Sequence, residues 1–204
     1  MESKSQGSAE LVDTVAFLVS VVTSPYLVCA AFTIWILSCY ATSFLQFVGL
    51  AGSFLSLAVA FPLGFVLLGI WQGKYTDIHV AIRSQREEVF TVATCSVGVL
   101  SLLYYLEGVS LPIVALAVSL FVNGMVFWII SMRWKISVHT AALTQGAIAG
   151  ALLVTPWALL WLLAIPAVAW ARLRRNRHTL IQVIAGVVAV GVLTPAVFWG
   201  LGAL

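Results

Sequence analysis

The sequence predicts an all-α, polytopic membrane protein, a helix bundle of six or seven transmembrane helices in a single domain over residues 1–204. Three observations predict it. Of the 204 residues 62% are apolar and only 8% charged, where soluble domains carry about a quarter charged residues. The uncharged stretches exceed the roughly 18 to 20 residues that cross the hydrocarbon core as a helix. The ten lysines and arginines gather in a few short segments between those stretches. Too few charges remain to solvate a globule, and continuous apolar runs of this length cross lipid as helices rather than as a barrel.

Charged residues mark the elements in order. Asp13 to Lys74 encloses 60 uncharged residues, which as one helix would be about 90 Å long, three times the bilayer core. Two spans are therefore expected, over 14–39 and 45–71, divided near Ala41-Thr42-Ser43. The 18 residues between Glu88 and Glu107 and the 25 between Glu107 and Arg133 predict spans over 89–106 and 111–132. The 36 residues from Lys135 to Arg172 are divided at Thr155-Pro156, because proline disfavours helix at the preceding residue and cannot donate the bond a helix interior needs. This predicts short spans over 137–153 and 156–171, or one span and six helices in all if the division fails. The last span is expected over 179–202. MESKSQGSAE precedes the first run with mixed charge and no cleavage motif, so no cleaved leader is expected. Cys29, Cys39 and Cys95 fall inside spans without a CxxC pair and read as small apolar fillers. Pro112, Pro156 and Pro166 read as helix starts or kinks. Gly146, Gly150, Gly186 and Gly191 read as close-packing positions, and Asn123 and Gln145 as interhelical hydrogen-bond partners.

With seven helices, the segments before the first and after the second, fourth and sixth lie on one side. All ten basic residues fall there: Lys4, Lys74, Arg83, Arg86, Arg133, Lys135, Arg172, Arg174, Arg175 and Arg177. The excess of positive charge predicts a cytoplasmic location for that side, in a cell membrane of bacterial or archaeal type. Trp71, Trp134 and Trp170 stand at the ends of spans there, as an interfacial belt would place them, and Tyr104 and Tyr105 read as belt residues of the opposite face. Three loops on this side hold the ionisable groups: KYTDIHVAIRSQREE (Lys74 to Glu88), RWKISVH (Arg133 to His139) and RLRRNRH (Arg172 to His178). Each has a histidine beside arginine or lysine. One reading is a solvated basic rim that fixes topology and attracts anionic lipid head groups. The other is an anion site, favoured because His139 and His178 head apolar helices, where backbone N–H groups and the helix dipole receive negative charge.

Arg172, five residues, His178, three residues, Gln182 resembles the third motif of the type 2 phosphatidic acid phosphatase superfamily, a Ser-Arg, five residues, His, three residues, Asp; Ala171 stands for the serine and Gln182 for the aspartate. Ile136-Ser137-Val138-His139 is similar to the second motif, Pro-Ser-Gly-His, and His79-x6-Arg86-Glu87 loosely matches the first, a Lys, six residues, Arg-Pro, with Asp77 and Arg83 flanking it. The resemblance covers about residues 70–190. It implies metal-independent cleavage of a phosphate monoester or diphosphate through a phosphohistidine, with no cofactor. His178 would be the nucleophile and His139 the acid toward the leaving oxygen. Arg86 and Arg172 would clamp equatorial oxygens, with Lys135, Arg83 and Ser137 as further donors and Asp77 and His79 at the substrate. The family's aspartate holds the other ring N–H of the nucleophile. Gln182 can accept that bond but brings no charge, and the comparable Asp-to-Asn change in serine proteases costs about four orders of magnitude.

A metal site from His79, His139 and His178, perhaps with Asp77, lacks a close-spaced ligand pair, and the surrounding arginines disfavour a cation. A transporter would show mid-span charges or inverted repeats, and the sequence shows neither. Nothing points to nucleic acid. The expectation is a membrane-embedded lipid phosphatase acting on a phosphatidic acid-like lipid or an isoprenoid diphosphate. Its alternatives are a non-catalytic binder that retains the basic cradle and a purely structural membrane protein. Neither the lipid nor the oligomeric state is written in the residues.

Overall fold

A computed structural model describes the chain except Met1, His79, Ala81, Arg83 and Ser84, with side chains from Glu10 onward. Among the described residues it is all helix: α1 Glu2–Val22, α2 Pro25–Tyr40, α3 Phe44–Trp71, α4 Arg86–Leu106, α5 Leu111–Ser131, α6 Val138–Leu153, α7 Pro156–Arg174 and α8 Leu180–Gly200. Five of these (α3, α4, α5, α7 and α8) are long and apolar enough to cross a membrane, α1 and α2 together make a bent sixth, and α6 is a shorter apolar helix. The protein is a polytopic α-helical membrane bundle.

The first expected span is not one helix. It starts well before residue 14 and breaks at Thr23-Ser24, where α1 and α2 meet at 43°. Pro25 is the cause: Ser24 before it is extended (φ −54°, ψ 136°), as the residue ahead of proline must be, and Pro25 occupies the first turn of α2, where no N–H is missed. α3 keeps its length but carries a π-helical segment, Leu55–Ala60, just before Pro62. Proline cannot bond four residues back, and a π turn re-registers the ladder around it. Tyr104 corrects the belt reading. It is buried and donates to the Leu50 carbonyl at 2.7 Å, ahead of the π segment, so it ties α4 to α3, while Tyr105 is exposed.

The division at Thr155-Pro156 holds. α6 ends at Leu153 and is about 24 Å long, and α7 opens with 3₁₀ turns over Pro156–Ala164, whose greater rise per residue lets a short segment reach farther. Glycines bring α6 against its neighbours: a Cβ at Gly146 would meet the Phe32 ring, and one at Gly150 the Trp35 ring of α2. Gly191 meets nothing within 4 Å, so it is not the packing position expected. Asn123 of α5 donates through Nδ2 to Gln145 Oε1 of α6 and to Thr194 Oγ1 of α8, the last at 3.1 Å. This buried network binds three helices in an interior where unsatisfied amides are costly.

Candidate functional site

α6 and α8 begin, and α7 ends, at the same end of the bundle, and α4 begins there too. Local chemistry aims their end residues inward. α7 stops in a turn whose left-handed residue is Asn176 (φ 51°), a residue type that tolerates this conformation. The Asn176 N–H bonds the Leu173 carbonyl at 2.9 Å and the Arg177 N–H bonds the Arg172 carbonyl at 3.0 Å, the pairing that closes many helices. The chain thus doubles back, and His178 returns to the level of Arg172. Gly186 sets the next contact. A Cβ there would lie 2.5 Å from the Ser137 carbonyl oxygen, so only glycine lets α8 approach the loop in which the Ser137 N–H donates to the Gln182 carbonyl at 3.1 Å.

The result is a cavity of about 150 Å³ lined by Arg86, His139, Arg172 and His178 together. All four are buried, with 6%, 3%, 2% and 7% of their surfaces exposed. Arg86 Nε donates to the Val80 carbonyl at 2.9 Å, and Val80 itself takes a left-handed backbone (φ 44°) that is strained for a β-branched residue. One guanidinium edge is thereby anchored. Arg86 Nη1 and Arg172 Nε and Nη1 remain buried with no acceptor among the described residues. Buried N–H groups of a guanidinium normally have partners, and the acceptor that suits this planar fork is an oxyanion.

His178 carries the clearest electrostatic signature. Burial, then the positive charges of Arg172, Arg86 and Lys135, push its pKa down to about 3, against a smaller opposing pull from Gln182. The ring is neutral at physiological pH. Its tautomer follows from Gln182, whose Oε1 accepts the Thr179 backbone N–H at 3.1 Å and faces His178 Nδ1 at 3.3 Å. An oxygen so placed can only accept, so Nδ1 carries the proton and Nε2 keeps its lone pair.

The remaining expected residues are spread around this centre. Lys135 is half-buried outside the cavity wall, its pKa lowered by burial first and then by Arg86, Arg177 and Arg172, with Asp77 acting the other way. Asp77 does not line the cavity either, and accepts from Arg177 Nη1 at 3.3 Å. Ser137 is fully buried behind the cavity, against α8, and does not line it. His79 and Arg83 lie outside the described residues. Among the described residues no group of three His, Cys, Asp or Glu comes together as a metal site.

Sequence reasoning missed much of the apolar wall, among it Pro25 and Tyr26 from the start of α2 and Phe90 and Ala93 from α4. A proline inside the first apolar run was the available signal for the α2 pair. Comparison with family models, curated proteins and solved structures returns no match to this chain.

Proposed function

We propose that the protein is a membrane-embedded hydrolase that cleaves a phosphate monoester or diphosphate from a lipid, working without a metal through a phosphohistidine. One observation carries this reading: two arginines with unanswered buried N–H groups and a neutral histidine with a free Nε2 lone pair face one cavity, which opens onto apolar space between helices. The motif resemblance to type 2 phosphatidic acid phosphatases supports it from the side of sequence. The substrate would be a phosphatidic acid-like lipid or an isoprenoid diphosphate, its phosphate in the cradle and its tail among the helices.

The chemistry follows from the placement. His178 Nε2 gives its lone pair to phosphorus as the bond to the leaving oxygen breaks, and His139 delivers a proton to that oxygen. Arg86 and Arg172 hold the equatorial oxygens through charge-assisted bonds in a dry site, where such bonds are strongest. Water then attacks the phosphohistidine, losing a proton to His139, and phosphate leaves with His178 restored. By the charge of its loops the cradle would face the cytoplasm.

A second reading is favoured by one residue. Gln182 brings no charge of its own to stabilise an imidazolium, and a chain that retained the cradle but lost turnover would be a lipid-phosphate-binding membrane protein. Phosphate release decides between them. With phosphatidic acid, phosphatidylglycerol phosphate and isoprenyl diphosphates offered to the purified protein in chelator, release should occur and vanish in His178→Ala. Silence across the panel, with binding retained, would establish the binder.

A further inference from the structure

The cavity around Arg86 and His178 does not end beneath them. A second cavity, of about 170 Å³, continues it into the bundle, and the two share Pro25, Tyr26, Phe90, Ala93 and Val138 as walls. Apolar side chains dominate its lining, yet Thr94, Asn123 and Gln145 also face it. Thr94 lies eight residues along α4 from Arg86, and Asn123 eight residues back along α5 from Ser131. Both distances put the polar group about 12 Å from the site end of the bundle.

The hydrogen-bond network determines what this polar group offers. Asn123 Nδ2 is spent on Gln145 Oε1 and Thr194 Oγ1, Thr194 Oγ1 donates to Gln145 Oε1 at 2.9 Å, and Gln145 Nε2 donates to Ser119 Oγ at 2.8 Å. This closed arrangement leaves Asn123 Oδ1 as an acceptor with no donor among the described residues, on a side chain 6% exposed. Thr94 Oγ1 is equally without a partner among them, on a residue 7% exposed. Both residues line the same cavity, and Thr94 Oγ1 lies 3.0 Å from the place a Cβ would take on Gly124, so α4 meets α5 at the turn that carries Asn123. A bare acceptor and a bare hydroxyl in one cavity with apolar surroundings are costly unless something completes both. Among small uncharged groups, an alcohol both donates and accepts through one atom.

We propose that the lower cavity is a recognition subsite for a hydroxyl group carried on the lipid chain about 12 Å from the phosphate, donating to Asn123 Oδ1 and accepting from the Thr94 hydroxyl. It rests on the reading of the upper cavity as a lipid-phosphate site. The subsite makes Thr94 and Asn123 specificity-determining residues: a plain alkyl chain fits the slot but leaves both polar atoms unanswered.

Decyl phosphate and its ω-hydroxy analogue test this on the purified full chain, with ligand affinity read from dose-dependent protection against thermal unfolding. The informative quantity is the ratio of the two affinities in the wild type divided by the same ratio in Thr94→Val, which cancels unequal partitioning into detergent. The expected value is about fivefold or more in favour of the hydroxylated chain, with Thr94→Ser behaving as wild type. A quotient within about twofold of unity, with decyl phosphate still protecting, overturns the subsite and leaves the phosphate site standing, and shows the lower cavity to hold water or a plain tail. Protection by neither alkyl phosphate nor by inorganic phosphate overturns both readings.

Discussion

His178 stays neutral because its ring is buried and, after that, because two arginines and a lysine surround it, and Gln182 sets which nitrogen bears the proton. The glutamine therefore differs from an asparagine in a protease triad. Its oxygen is already oriented by the Thr179 N–H, so the wrong tautomer, the main penalty in that comparison, does not arise, and only the missing charge separates it from aspartate. On the proposed reading Gln182→Asp raises phosphate release by about tenfold or more, since a carboxylate stabilises the imidazolium form; an unchanged rate would show that charge at this position is idle. Stability carries the same group in a different way. The folded pKa of about 3 lies below the unfolded value of 6.5, so above 6.5 both states hold a neutral ring. As pH falls from 6.5 toward 3 only the unfolded chain takes the proton, and stability drops by up to about 1.4 kcal/mol per pH unit. Thermal unfolding followed between pH 7 and 4 should show that slope in the wild type and a shallower one in His178→Gln.

Helix ends rather than helix middles bring the site together. The Asn176 turn folds His178 back onto Arg172, and Gly186 lets α8 close on the loop before α6. Replacing Gly186 with alanine puts a methyl group where a backbone oxygen already lies, and backbone yields less readily than a side-chain tip. The expected loss is about 1 to 3 kcal/mol of stability, read as a lower unfolding temperature, and on the proposed reading lipid-phosphate binding weakens with it as His139 and His178 shift apart. Gly191→Ala on the same helix, with nothing within 4 Å, should be neutral or slightly stabilising, because alanine favours helix. Equal effects at the two positions would mean that helix propensity alone, and not the contact with Ser137, governs α8.

For the whole molecule, charge and parity predict the topology. The described loops with histidine and arginine meet at one end of the bundle, and Trp71, Trp134 and Trp170 are partly or largely exposed at that end, as anchors to the interface require. α8 begins at the cradle end and is long enough to cross, which puts the C-terminus at the opposite end, as expected for seven crossings if α1 and α2 count as one and the shorter α6 also spans. A reporter fused after Leu204 should therefore register outside the cytoplasm, and one placed between Arg175 and Arg177 inside it. A cytoplasmic C-terminus would overturn either the expected crossing number or the expected orientation, and with it the side from which, on the proposed reading, a lipid phosphate would reach the cradle.

Hydropathy, charge placement and proline by themselves determined the helical membrane class, the division of the long first run near Ala41-Thr42-Ser43, the break at Thr155-Pro156 and the gathering of the basic loops, because lipid allows few solutions to a long uncharged run. Motif spacing likewise singled out Arg86, His139, Arg172, His178 and Gln182, since those residues lie at helix ends that the sequence locates well. What only tertiary structure decided is what those ends face. The bend at Pro25 makes the start of α2 a wall of the cavity, Tyr104 turns inward to α3, Ser137 turns to α8 instead of the cavity, and the second cavity with its Thr94 and Asn123 floor exists only between packed helices. Apolar residues of a membrane span look alike in sequence whether they meet lipid or protein, so the choice of face is made by packing.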